Sequence, residues 1–437
     1  MMFIASFLDR LSGFLSGKLL GNIVSRGSRD RGRILSRIAL YREEVLLNLA
    51  TLCFFLTIHS VAPYLSQYAV ELGATETMIA LLGPFFAASA MSFRIVSGVL
   101  ADRGWSYSLL IFGALISTIA QAIYLLSPGM DALYIGRFVQ GMAVAIFIPA
   151  SFQAAAIGER DRIISSLAWR NTITGVSFAL GPALGGYISQ HMGYKALFAY
   201  SAALGIMAAA LVIPIRNNRF KEAKAYEEGQ VRAAGMWFLS WGFLSALASL
   251  LLYSSSYMCL TLFLPAYHKQ EGLGASLIAI YFTAMASFNL LSRIAFRYVL
   301  KILSIKSTAL LGMALVSTGY MGIALNPLSQ NIIYYGIASG MGAGLAIPSL
   351  QIIAIAGIPQ GRRGLASAIY TAMFDLGNLV GPSVASALAN NYRDMISISG
   401  YLTIASATSI GILKLREAIE SRASNTRIHS PEDHNTS

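Results

Sequence analysis

The chain has 437 residues, of which 56% are hydrophobic and only 12% are charged, and its formal net charge is +12. Soluble domains carry about 25% charged residues, so this composition excludes an ordinary soluble fold and indicates an integral membrane protein. The sequence contains no Walker loop, paired metal ligands or nucleophile motif, so we predict neither an enzyme nor a bound cofactor or metal.

Residues 1–44 precede the first long apolar stretch. Apolar residues recur there at helical spacing from Phe3 to Leu15, and basic residues follow as far as Arg42. This pattern favours an amphipathic segment on the cytoplasmic membrane surface. A basic tail without regular structure is the alternative.

Twelve stretches are long and apolar enough to cross a hydrocarbon core of about 30 Å, which takes about 20 residues of helix. They are 45–68, 76–100, 107–127, 131–155, 164–189, 196–215, 238–266, 276–299, 307–325, 331–355, 364–389 and 395–414. The longest polar interruption, from Arg216 to Gly235, divides them six and six.

These spans predict an all-α membrane protein with twelve transmembrane helices in two six-helix halves. The predicted limits are a first bundle at 45–215, a cytoplasmic linker at 216–236, a second bundle at 237–415 and a cytoplasmic tail at 416–437.

The positive charge is distributed unevenly between the loops. With the N-terminus in the cytoplasm, most basic residues fall on the inner side, whereas the outer loops hold only Lys195, Lys269 and Arg393. This is the bias of a multi-pass membrane protein. It predicts a plasma-membrane protein with both termini in the cytoplasm and contact with membrane lipid, and it argues against a nucleic-acid partner.

Three short segments recur at nearly the same spacing. The tetrapeptide at 72–75 returns at 273–276, Arg94 returns as Arg293, and the pair Gly181-Pro182 returns as Gly381-Pro382. Because six helices is an even number, the two copies enter the membrane from the same side and form parallel repeats. A duplicated bundle of this kind suits alternating access.

The repeated Gly-Pro pairs belong to small-residue stripes. Ser177, Gly181 and Gly185 fall four residues apart on one helical face, and Gly377 and Gly381 take the same places in the second copy. Small residues let helices approach closely in lipid, and proline gives each helix a place to bend. We therefore predict a seam between the halves, formed by Gly175, Gly181, Pro182, Gly185, Gly186, Gly377, Gly381 and Pro382.

The segment "GVSFALGPALGG" at 175–186 resembles the fifth-helix signature of major facilitator superfamily antiporters, especially drug/proton exporters. The "RFVQG" segment at 137–141 is similar to that superfamily's Arg-x-x-Gln-Gly motif, and "GVLADR" at 98–103 to its loop between helices two and three. The resemblance covers about residues 45–415. It implies a twelve-helix antiporter with a cytoplasmic gate at Gly98, Asp102 and Arg103.

The sequence also departs from the superfamily's pattern. The two basic residues that usually end the loop are missing after Gly104, and Arg297 and Lys301 occupy the places of Gly98 and Asp102 in the second half. These departures count against a tightly coupled cytoplasmic latch but not against the fold.

Ionisable groups at membrane depth are candidates for function because burying a charge is costly. Asp375 lies about eleven residues into its span, roughly 16 Å along the helix, with Asn378 beside it. It is interpreted either as a proton carrier or as a tie between helices. Arg137 has Gln140 on the same face, and it serves either to bind an anion and take part in coupling or to bond neighbouring carbonyl groups.

Four other side chains complete this set. His59 in the first span is either a titratable group or a packing residue. Arg94, Arg170 and Arg293 lie nearer the inner ends of their helices, and we predict mainly structural, snorkelling roles for them.

The combined expectation is a secondary transporter that exports a small, partly apolar compound in exchange for protons and acts as a monomer. An uptake symporter or uniporter for a metabolite such as a sugar or an organic anion is the alternative. A membrane receptor that transports nothing is a third possibility.

Overall fold

The computed structural model describes residues 28–127, 129–155, 160–215, 238, 240–356, 358 and 363–428, and these residues contain helices and short connections without a strand. The predicted linker at 216–236 and residues 1–27 of the N-terminal segment lie outside the described residues.

The first half contains six helices and one π-helical turn. They are α1 (Ser28–His59), α2 (Ala62–Glu71), α3 (Glu76–Leu100), the turn Ala101–Trp105, α4 (Ser106–Leu126), α5 (Met130–Ala155) and α6 (Arg160–Val212). Together α1 and α2 form one span, Arg42–Glu71, which breaks before Pro63 because proline has no amide hydrogen to donate.

The second half contains six further helices. They are α7 (Trp241–Gln270), α8 (Ala275–Val299), α9 (Ile305–Leu325), α10 (Ile332–Ala356), α11 (Arg363–Leu388) and α12 (Tyr392–Ile428). Serine side chains cap two of their N-termini: Ser240 accepts from the amide of Phe243, and Ser304 from that of Ser307.

Helix α6 holds the fifth and sixth predicted spans and reverses direction between them. Gly193 has φ 83° and ψ 168°, a backbone conformation that is essentially restricted to glycine. Ser177 bonds the His59 side chain, and Ser201 donates to the carbonyl of Thr57, two residues away on α1. In a straight helix Ser177 and Ser201 would be about 36 Å apart, so the chain folds back at Gly193.

The two halves repeat the same helix pairings. In the first half α5 packs on α3 and α4, and in the second half α10 packs on α8 and α9. Between the halves, α6 packs against α8, α3 against α11, and α2 against α7. Each half therefore contributes equivalent helices to the interface, as expected for parallel repeats.

Each predicted span overlaps a described helix, and the first span, 45–68, is divided between α1 and α2. Among the described residues, ten helices are long and apolar enough to cross a membrane, and one of these, Trp169–Val212, contains two predicted spans. Helix α11 is not among the ten, and it carries the polar residues Asp375 and Asn378 inside its span. The expected architecture of twelve transmembrane helices in two halves is confirmed, whereas the exact domain limits stay predictions.

Candidate functional site

A chain of aromatic rings crosses the middle of the molecule from one half to the other. The ring of His59 on α1 lies 5.0 Å from Phe178 on α6, Phe178 lies 6.4 Å from Tyr257 on α7, and Tyr257 lies 6.3 Å from Phe374 on α11. All four side chains are half-buried. We call these four residues the central ring cluster, and their free faces form an apolar surface shared by both halves.

His59 holds its place in this cluster through one hydrogen bond and one stacked ring. Its Nδ1 atom lies 3.2 Å from Ser177 Oγ on α6, and Phe55 stacks on it at 5.8 Å. These contacts fit the packing interpretation, because they tie α1 to α6 within the first half. A titrating role for His59 stays a prediction.

An ion pair joins the halves beside the central ring cluster. Nη1 of Arg94 on α3 donates to Oδ2 of Asp375 on α11, the residue after Phe374. The Asp375 side chain is only 8% exposed, whereas that of Arg94 is 32% exposed. The carboxylate is thus the desolvated partner, and its charge is balanced by a cation from the opposite half.

The amino-acid sequence alone did not indicate Arg94 as the partner of Asp375. Arg94 lies six residues before the end of α3 and Asp375 twelve residues after the start of α11, so the long arginine side chain covers the difference in depth. Opposite charges in the second and eleventh spans were a signal, but nothing in a linear sequence indicates that these two helices touch.

Asn378 lies one turn beyond Asp375, at a point where α11 packs closely on α3. A Cβ atom on Gly83 of α3 would be only 3.1 Å from the backbone carbonyl of Asn378. The Oδ1 atom of Asn378 is buried and has no hydrogen-bond partner among the described residues. Asn378 therefore lies at the interface between α11 and α3 and does not bond to Asp375 in the described structure, and its role in a coupling or substrate site stays a prediction.

Arg137 and Gln140 form a closed network inside the first half. Arg137 Nε donates to the carbonyl of Leu82 at 3.1 Å, and its Nη1 donates to Gln140 Oε1 at 2.9 Å. The hydroxyl of Tyr124 donates to the same oxygen at 3.2 Å, and Phe86 lies 4.8 Å from the guanidinium. Because Arg137 is only 4% exposed, this geometry favours the interpretation in which it bonds neighbouring groups over one in which it meets a substrate.

The glycine stripe of α6 has two packing faces. Gly175 and Gly186 lie against α8 of the other half, where added Cβ atoms would meet Leu290 and Ala279. Gly181 and Gly185 instead lie against His59 and Ser60, within their own half, and Pro182 accepts a 2.6 Å hydrogen bond from Tyr64 of α2.

The second stripe is divided in the same way. Gly377 and Gly381 of α11 pack on Ser254 and Ser255 of α7, within the second half, while Pro382 lies against Gly83 of the first half. The prediction of one inter-half seam is therefore wrong for Gly181, Gly185, Gly377 and Gly381, and it stays a prediction for Pro182. Their helices are wedged between two neighbours, and close approach is needed on both sides.

The predicted cytoplasmic gate lies at the turn between α3 and α4 in this structure. Gly104 has φ 87°, which turns the chain between α3 and α4. Arg103 is exposed, and a Cβ atom on Gly98 would meet nothing within 4 Å among the described residues. The side chain of Asp102 lies outside the description. A gating role for Gly98, Asp102 and Arg103 stays a prediction.

At the opposite end of the interface a second ion pair joins the halves. Lys269 Nζ at the end of α7 lies 2.6 Å from Glu71 Oε1 at the end of α2, and 5.5 Å from the ring of Tyr194. The Glu71 and Lys269 side chains are 43% and 30% exposed, so this pair contributes little stability, but it shows that the predicted outer ends of the halves are in contact.

Two similar helical halves that meet around a ring cluster and a partly buried ion pair are the architecture expected of a multi-pass membrane transporter. The chain belongs to the Major Facilitator Superfamily, whose sequence profile matches residues 47–382.

Relatives and solved structures agree with this assignment. The chain is 23% identical to the quinolone resistance protein NorA of Staphylococcus aureus over 352 residues, which cover 76% of this chain and 86% of NorA. It is 23% identical to an uncharacterized MFS-type transporter of Methanocaldococcus jannaschii over 353 residues, covering 78% of this chain and 90% of that protein.

Solved transporters share the fold at low sequence identity. The nucleoside transporter NupG superposes with a TM-score of 0.69 at 13% identity, covering 85% of this chain and 99% of NupG. A bacterial homologue of the lysosomal transporter Spinster, in an inward-facing conformation, superposes with a TM-score of 0.65 at 14% identity, covering 85% and 95%. The expectation of a transporter rather than an enzyme is thereby confirmed.

Proposed function

We propose that the protein exports a small, partly apolar compound across the cell membrane in exchange for protons, by alternating access of a site between the two halves. The observation that carries this proposal is the ion pair between Arg94 and Asp375, because it joins the halves through one protonatable group. The similarity to proteins named for quinolone resistance supports export and a partly aromatic substrate.

The ion pair offers a physical link between a proton and the movement of the halves. While Asp375 is ionised, its attraction to Arg94 holds α3 of one half against α11 of the other. Arg94 is the charged group that faces Asp375 among the described residues. Protonation removes that attraction, and a proton that binds on one side of the membrane then favours a conformation in which the two helices part.

The central ring cluster supplies a surface for the apolar part of a substrate. Its members come from α1, α6, α7 and α11, so relative movement of the halves changes the distance between Phe178 and Tyr257. Partly exposed aromatic rings contribute a large apolar contact area to a ligand. A compound that binds between these rings is therefore released when the halves separate at them.

Transport by purified protein in proteoliposomes tests the proposal. An imposed pH gradient should drive movement of norfloxacin, a fluorescent quinolone, and the Asp375→Asn variant should lose this driven movement while still binding the compound. Asp394→Asn is the matched control, because Asp394 is exposed near the start of α12 and bonds Asn391.

The direction of the flux and its dependence on the pH gradient distinguish the alternative functions. Movement of the compound with the proton rather than against it would indicate an uptake symporter. Movement of the compound that does not depend on the pH gradient would indicate a uniporter. Absence of any flux across a broad panel of compounds would favour a receptor. Normal gradient-driven flux in Asp375→Asn would remove this carboxylate from the mechanism.

A further inference from the structure

Helices α8 and α10 run side by side and in register through the second half. Three glycines of α10 each lie against a backbone carbonyl of α8, in the pairs Gly336 with Tyr281, Gly340 with Met285, and Gly344 with Asn289. One helical turn further along both helices, Arg293 is level with Pro348. A recess of about 420 Å³ begins at this level and is lined by Pro348, Gln351, Ile352, Ile355 and Ala356.

Arg293 points away from the helix contacts on either side of it. Ser292 packs on Gly344 of α10, and Leu290 packs on Gly175 of α6 in the other half. With 100° between successive residues of a helix, the Arg293 side chain emerges between these two neighbours. This direction leads to the space between the halves, and Arg293 is exposed there.

The described surroundings of Arg293 are polar but include no carboxylate that balances its charge. Its Nε donates to Asn289 Oδ1 at 2.9 Å, and the phenol groups of Tyr253 on α7 and Tyr370 on α11 lie near it. The hydroxyl of Tyr370 donates to the carbonyl of Ile347, the residue before Pro348. No carboxylate among the described residues forms an ion pair with Arg293.

The internal repeat shows what is missing beside Arg293. Arg94 and Arg293 are equivalent positions of the two halves, and Arg94 is neutralised by Asp375 of the opposite half. The position equivalent to Asp375 in the first half is Gly175, two hundred residues earlier. Gly175 lies against α8 at Leu290. The interface between α6 and α8 therefore has an arginine equivalent to Arg94 but no carboxylate equivalent to that of Asp375.

We propose that Arg293 binds the carboxylate of an amphipathic organic anion, and that the recess along α10 holds part of the apolar surface of this compound. This inference rests on the proposed transport function and specifies the substrate class. A guanidinium pairs with a carboxylate through two parallel hydrogen bonds, and the terminal nitrogens of Arg293 have no hydrogen-bond partner among the described residues. The lining of the recess is apolar except for Gln351, which matches a compound charged at one end only.

Equilibrium binding to purified protein tests this inference without any ion gradient. The probes are 2-naphthoate and 4-phenylbenzoate, each compared with its uncharged primary amide, and binding is followed by the shift in thermal unfolding. We expect the wild-type protein to bind each acid more tightly than its amide by about tenfold to a hundredfold, the range for a hydrogen bond to a charged group.

Two variants of Arg293 and one control variant test whether the preference for the acid over its amide depends on this residue. Arg293→Gln should bind acid and amide equally well, and Arg293→Lys should keep part of the preference because it keeps the charge. Arg297→Gln removes an exposed arginine one turn further along α8, where it contacts Tyr298, and should leave the preference unchanged. Comparing acid with amide in the same detergent cancels differences in partitioning and in protein stability.

Two results would overturn the assignment. One is a wild-type protein that does not prefer the acids, and the other is a preference that survives in Arg293→Gln; either would leave Arg293 as a cation that merely reaches the membrane interface. Loss of gradient-driven flux with the acid preference intact would reject the proposed proton coupling and keep the anion site.

Discussion

Removal of either partner of the Arg94–Asp375 ion pair should shift the molecule toward conformations in which α3 and α11 are apart. The size of the shift follows from the burial of the two partners. Exposed ion pairs contribute about 0 to 1 kcal/mol, and losing one partner of a buried pair costs about 3 to 5 kcal/mol.

The Arg94–Asp375 pair lies between these limits, since Asp375 is 8% exposed and Arg94 32%. We therefore expect the loss of either partner to change the free-energy difference between the two conformations by about 1 to 2 kcal/mol. This changes the ratio of their populations about 5- to 30-fold.

Spin labels provide the measurement. Cysteines introduced at Val99 on α3 and Tyr298 on α8 lie on exposed positions near the predicted cytoplasmic ends of the two halves. The two native cysteines, Cys53 and Cys259, are buried. Pulsed electron paramagnetic resonance on this pair should show a larger fraction of long distances in Arg94→Gln and in Asp375→Asn than in the parent protein.

The double variant distinguishes a direct pair from two independent effects. If the two side chains act through each other, Arg94→Gln combined with Asp375→Asn should shift the distances no further than either single change. Additive shifts, or distance distributions that none of the variants alter, would refute the reasoning that this pair holds the halves together.

Three further predictions concern packing, backbone and ligand. Gly185→Ala should sharply lower the yield of folded protein in size-exclusion chromatography, because its Cβ atom would clash with the Ser60 carbonyl, whereas Gly98→Ala, with open space around it, should not. Gly193→Ala should lower the thermal unfolding temperature, since its backbone conformation costs a residue with a side chain about 1 to 3 kcal/mol; an unchanged temperature would contradict the strained reversal of α6. Tyr257→Ala should weaken norfloxacin binding about fivefold or more, from the loss of an aromatic contact of about 1 kcal/mol, whereas Tyr257→Phe should retain it, and equal binding by all three proteins would exclude the central ring cluster as the ligand surface.

The helices and the division into halves were accessible from the sequence because both follow from local properties. An apolar stretch must be helical in lipid to satisfy its own backbone hydrogen bonds. The repeat of the Gly181-Pro182 pair at Gly381-Pro382 can be read directly from the sequence. The reversal at Gly193 was also anticipated as a break between two spans, although α6 continues with little interruption on either side of it.

The contacts of the candidate site depended on which helices are neighbours. Arg94 and Asp375 are 281 positions apart, and no periodicity connects them. The glycine stripe illustrates the same limit: the wheel places Gly181 and Gly185 on one face, but not which helix that face meets. Arg137 and Gln140 were correctly placed together since three residues of a helix suffice for that, while their enclosure by Leu82 and Tyr124 required the fold.

The α3–α11 interface carries a carboxylate and the equivalent α6–α8 interface does not. This difference limits how much of the energy of a proton gradient the protein can use for transport. The carboxylate of Asp375 has a glycine, Gly175, as its counterpart in the other half, so an exchanger that relies on Asp375 alone returns one proton in each cycle. One pH unit across the membrane is worth about 1.4 kcal/mol for one proton, so the pH difference by itself sustains about a tenfold concentration ratio of an exported compound. A steeper ratio would require charge movement along the membrane potential or a second titrating group.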